Sequence, residues 1–146
     1  MIKVPILGSS ASITIHVRGY ENPAAANDSD ANWLRSTVSI SAGPFTGEIE
    51  GSLTTQDFAY FERELTEALR TFHGKATFHT DEDWLRFEVS MDSRGTATVS
   101  GIAKAGAGSQ TGLTFSFETD QTYLGETQRA LGDMAGQFPV KKVRAS

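Results

Sequence analysis

The side chains best equipped for chemistry are a run of carboxylates, three histidines and two tryptophans. Asp81, Glu82 and Asp83 stand side by side immediately before Trp84. Three adjacent carboxylates invite a divalent cation or a basic protein partner, yet neighbours in a turn do not converge on one point, and a solvated turn carries such charges equally well. His16, His73 and His79 have no ligand-type partner at helical or hairpin spacing, so they read as structural, and neither a metal nor a cofactor is expected. There is no cysteine, which excludes disulfides and thiolate metal sites. A nucleophilic serine would need a strand-to-helix elbow of the G-x-S-x-G kind, and none is present. The run Gly106 to Gly112 looks like a phosphate cradle, but it precedes a strand and ends without a lysine, so a hairpin loop explains it better. Carboxylate pairs such as Glu88 with Glu118 have the character of surface residues unless burial says otherwise. No catalytic residue is assigned.

The tryptophans open strands in parallel contexts, Asp30-Ala31-Asn32-Trp33-Leu34 and Asp81-Glu82-Asp83-Trp84-Leu85. A tryptophan at a strand start either packs against a neighbouring element or waits exposed for a partner. Packing is expected for at least one of them. If both were exposed beside the acidic turn, Trp33, Asp81, Glu82, Asp83 and Trp84 would form an aromatic and acidic partner-binding patch.

The elements that must position these groups follow from periodicity. Trp84 to Met91 alternates apolar and polar residues, Asp92-Ser93-Arg94-Gly95 makes a tight turn, Thr96 to Lys104 returns, and Leu113 to Thr119 alternates again, giving an antiparallel meander. Ile2, Val4 and Ile6 make a first strand that Pro5 confines to a sheet edge, and Ile13, Ile15 and Val17 make a second. Residues 19–32 hold no apolar period and read as a long surface loop, suited to recognition or merely mobile. Strands are expected from Trp33 to Ala42, from Phe45 to Leu53, and around Ala76 and Phe78. Gly47 and Gly51 on the packed side of the second of these leave room for a helix to approach.

That helix is predicted next. Thr54 and Asp57 have capping-box spacing, Phe58, Phe61, Leu65, Ala68, Leu69 and Phe72 form one stripe, and Gly74 ends it. Asp120 caps a second helix carrying Tyr123, Leu124, Thr127, Leu131 and Met134, closed by Gly136 and Pro139. The expected fold is α+β: about eight mostly antiparallel strands in a meander-rich sheet, with one helix after strand four and another at the C-terminus. Four strands and a helix occur twice, which suggests a repeat of layout.

The chain has 146 residues, a formal net charge of −5 and 38% hydrophobic residues. A single domain spanning 1–146 is expected, with a basic tail over 140–146 that frays. Net acidity gives no electrostatic support to nucleic-acid binding, and no apolar run approaches the ~20 residues needed to span a bilayer. The first residues lack a secretory pattern, which points to a cytoplasmic protein.

The runs Asp30-Ala31-Asn32-Trp33-Leu34, Asp57-Phe58, Trp84-Leu85 and Glu118-Thr119-Asp120-Gln121-Thr122-Tyr123-Leu124 together resemble small bacterial proteins grouped with the WapI-type immunity proteins, over nearly the whole chain. The resemblance implies a non-enzymatic antitoxin that binds and neutralises the toxic domain of a contact-dependent inhibition protein. It brings neither catalytic residues nor a partner specificity. For a net acidic chain the corresponding partner is a basic toxin domain, with association that weakens as salt rises. The alternative is a small-molecule binder or enzyme whose site lies between sheet and helix, with Arg35, His79, Arg86 and Glu88 facing the cleft. Self-pairing of an exposed sheet face into a homo-oligomer also remains open.

Overall fold

In a computed structural model that describes residues 1–143, the strands are β1 (Ile2–Leu7), β2 (Ala11–Tyr20), β3 (Trp33–Ala42), β4 (Phe45–Thr54), β5 (Lys75–His79), β6 (Leu85–Met91), β7 (Thr96–Lys104) and β8 (Gly112–Asp120). The helices are α1 (Asp28–Ala31), α2 (Thr55–Thr71) and α3 (Gln121–Gln137). The α+β class and antiparallel pairing hold. The eight strands divide, however, into two four-stranded sheets, ordered β1-β2-β3-β4 and β5-β6-β7-β8, rather than one. The break falls where α2 carries the chain away from β4, so β4 and β5 never pair. A third, four-residue helix, α1, sits inside the segment expected to be an open loop, started by the Asn27 side chain, which accepts from the Asp30 amide.

Alternation decides which side of each sheet is buried. In the first sheet Val4, Ile15, Val38 and Ile49 stand opposite one another across the strands, and in the second Ala76, Val89, Val99 and Phe117 do the same. These inner faces and the stripes of α2 and α3 share one hydrophobic core. In its middle Phe78 stacks on Phe87 at 5.3 Å, with Phe58 and Phe61 edge-on to Phe78.

The layout repeats with an exchange of helices. Both α2 and α3 are 17 residues long and leave directly from the last strand of a sheet. Superposing them from their first residues brings Phe58 onto Leu124, Phe61 onto Thr127, Leu65 onto Leu131 and Ala68 onto Met134, and all of these are buried. Yet α2 packs against β5 and α3 against β1, so each helix covers the outermost strand of the sheet it does not follow, and the two helices pack together. Pro5 lies on that outer strand, where its carbonyl accepts from Thr127 Oγ1 at 2.6 Å. The room at Gly51 is taken by Trp84, not by a helix, and nothing lies within 4 Å of a Cβ built on Gly47.

Candidate functional site

The acidic turn is built on a buried threonine. Thr80 Oγ1 accepts from the amides of Trp84 and Leu85, which closes the chain into a tight reversal and pushes 81–83 outward. Asp81, Glu82 and Asp83 are exposed. Asp83 takes a left-handed φ of 57°, which Asp tolerates better than most residues, and its carboxylate is engaged: Oδ1 is 3.0 Å from His79 Nε2 and Oδ2 is 3.8 Å from Lys104 Nζ. His79 therefore does have a ligand-type partner, Asp83, at i,i+4 across a turn rather than along a helix, contrary to the expectation that it stands alone. Asp81 and Glu82 project without one among the described residues.

Trp84 does not join them at the surface. It is 2% exposed, lies over Gly51 within the core, and donates Nε1 to the Ser52 carbonyl at 3.4 Å. Trp33 is half-buried and, by strand alternation, occupies the opposite, outer side of the first sheet. The two tryptophans thus do not form an exposed aromatic pair. What Trp84 supplies is position: it fastens the acidic turn to the end of β4.

Around that junction several other carboxylates assemble. Glu21 accepts from Ser52 Oγ on the residue whose carbonyl holds Trp84. Asp57 closes the capping box at the start of α2, where it accepts from the Thr54 amide at 3.0 Å while Thr54 Oγ1 accepts from the Asp57 amide. Burial drives the Asp57 carboxyl up to about 6, against the Thr54 hydrogen bonds that lower it, and the nearby Asp81 charge pushes the same way as burial. Asp28 and Asp30 belong to α1, which Asn32 ties to the same place.

Asn32 escapes sequence reasoning altogether, because it looks like one more polar residue in a loop. It is buried and fully bonded: Nδ2 donates to the carbonyls of Asp28 and Lys141, and Oδ1 accepts from Thr55 Oγ1 at 2.6 Å and from the Lys141 amide at 2.7 Å. One side chain thereby joins the loop, the start of α2 and the C-terminal segment. Within that segment Lys141 Nζ lies 3.8 Å from the Tyr20 ring centre and the Val143 amide donates to Asp28. The remainder of the expected tail, 144–146, lies outside the described residues.

The end of the molecule at the start of α2 therefore gathers Glu21, Asp28, Asp30, Asp57, Asp81, Glu82 and Asp83. Lys104 lies 3.8 Å from Asp83, Lys141 lies over the Tyr20 ring, and Arg18 and Arg35 line one hollow with Glu21. Chemically this surface can attract and orient a cationic macromolecule; among the described residues no three His, Asp or Glu are grouped to hold a metal ion.

Elsewhere, Arg35, His79, Arg86 and Glu88 do not line a cleft between sheet and helix, although His79 stands directly opposite Arg86 across β5 and β6. Arg86 and Glu88 line a shallow hollow on the outer side of the second sheet, Glu88 is 3.6 Å from Lys75, and Arg35 belongs to the other sheet. Glu88 and Glu118 are separated by β7 and do not face each other. A groove of about 690 Å³ does exist, between α2 and α3, and none of those four residues lines it. No helix among the described residues is long and apolar enough to cross a membrane.

Compared with known families, residues 6–139 match the model described as the immunity protein WapI-like family. No curated protein matches the chain.

Proposed function

Because the chain belongs to the immunity protein WapI-like family, we propose that it is a non-enzymatic cytoplasmic binding protein that neutralises a cationic toxin domain of a contact-dependent system. The family match over residues 6–139 carries this reading. The acidic end supports it, since Asp81 and Glu82 are exposed, and without an ion pair among the described residues, on a turn that buried Trp84 holds in place. A nuclease-type toxin domain presents a basic surface to its phosphate substrate, and an acidic protein that covers that surface competes with the substrate directly. Charge complementarity also speeds encounter, which suits an antitoxin that must act before damage accumulates.

Co-expression tests the reading. C-terminal domains of the large secreted toxins encoded in the source genome would be induced one at a time in a bacterial host, with and without this chain. Rescue of growth by one pairing, with a purified complex that weakens as salt rises, is the expected result. Absence of rescue and of complex formation across all the domains rejects the reading.

A further inference from the structure

The groove between α2 and α3 has an apolar floor of Phe58, Leu131, Met134 and Phe138. Its rim is low because Ala59 and Ala135 are small and exposed. When the two helices are superposed from their first residues, Ala135 falls where α2 carries Leu69, which packs against the core. At this place α3 carries less bulk than α2 does at the corresponding position.

Its wall also holds an unneutralised charge. Arg63 is drawn over the Tyr60 ring, 5.1 Å from its centre, and Glu67 pairs with Arg70 at 2.5 Å. That leaves Glu62, half-buried in the wall, with no cation within ion-pair distance among the described residues. Burial raises its carboxyl above the usual range. A carboxylate partly stripped of water and lacking a counter-ion favours a ligand that brings one. The groove is continuous with the acidic end, because Thr55 in its lining donates to Asn32.

We propose that this groove receives an apolar side chain from a helix of the toxin domain, flanked by a lysine or arginine that pairs with Glu62. The proposal rests on the toxin-binding reading above and adds the anchor to it. Interfaces concentrate their binding energy in a few desolvated anchors with charges at the rim, and an amphipathic helix laid in a groove is a recurring form. The acidic turn then governs encounter, and the groove governs residence.

The experiment uses the toxin domain from the rescuing pair and the full chain. Calorimetry would compare wild type with Ala135→Trp, which fills the groove from an exposed position, with Glu62→Gln, and with Asp81→Lys. Thermal melts would check folding, and hydrogen exchange of the wild-type complex would report on the groove without any mutation. The expected result is a loss of about 100-fold for Ala135→Trp and about 10-fold for Glu62→Gln, with new amide protection over 58–67 and 131–138. If folded Ala135→Trp binds within about threefold of wild type and those amides gain no protection, while Asp81→Lys weakens binding, the groove proposal is overturned and the toxin-binding reading stands. If wild type binds none of the domains, both fall. A wild-type dimer in sedimentation that Ala135→Trp converts to monomer would make a second copy the occupant and overturn the proposal.

Discussion

The Trp84 indole lies so close over Gly51 that a Cβ built on the glycine would stand 2.5 Å from Trp84 Cζ2. Nothing but hydrogen fits between them. Gly51→Ala must displace the ring or bend β4, at a cost of about 1–3 kcal/mol. Trp84→Ala removes a buried aromatic and should cost about 3–5 kcal/mol. Urea titration reads both, and in Gly51→Ala a shifted tryptophan emission would report the displacement.

Asn32 offers a second test. Its four hydrogen bonds are made in a buried place, so Asn32→Ala leaves the Lys141 amide and the Thr55 hydroxyl without their acceptor. We expect a loss of about 2–3 kcal/mol and faster amide exchange along 140–143. Loss of stability without faster exchange there would show that Asn32 does not secure the C-terminal segment.

Asp57 sets a pH dependence. In the folded chain its carboxyl is raised from 3.8 to about 6, so between those values the folded state binds a proton that the unfolded state does not. Stability therefore rises as pH falls through about 6 towards 4, on the order of 2–3 kcal/mol from this group. Asp57→Asn keeps an oxygen for the Thr54 amide and removes the titration. Denaturant melts between pH 4.5 and 7.5 should show that slope in wild type and its loss in the variant.

Charge reversal at the turn should act on rate. Asp81→Lys with Glu82→Lys alters exposed side chains and relieves the repulsion of Asp81 on buried Asp57, so the fold should survive, whereas association with the toxin domain should slow about tenfold or more at low salt and converge with wild type at high salt. Stopped-flow measurements across ionic strength check this. Equal rates at every salt concentration would remove the turn from the interface.

Local signals in the sequence were reliable guides to local structure. The alternation from Trp33 to Ala42 marks β3 from end to end, and Thr54 with Asp57 marks the start of α2, because pleating and capping each depend on a few neighbouring residues. Pairings at a distance were not legible. Whether eight strands make one sheet or two depends on where α2 sends the chain, and no run of residues encodes that alone. Trp84 shows the same limit: the strand that follows it, β6, was evident, but its burial depends on a glycine in the other sheet. Asn32 and the groove depend on segments at opposite ends of the chain, so composition could point to an acidic partner surface without outlining its floor.

The exchange of helices bears on how the protein is made. β1 leaves the ribosome well before α3, the helix that covers it, and Thr127 bonds back to Pro5 across a sequence separation of 122. At about 5–20 residues added per second, the edge of β1 stays uncovered for several seconds of synthesis. The amino-terminal half is thus a nascent chain with an open strand edge, vulnerable to chaperone capture or proteolysis. An incomplete translation product has neither its outer strand covered nor the groove that α3 helps to form. Protection against a toxin would then depend on chains that have completed α3, so slowing translation of the α3 codons would reduce immunity more than the amount of mRNA indicates.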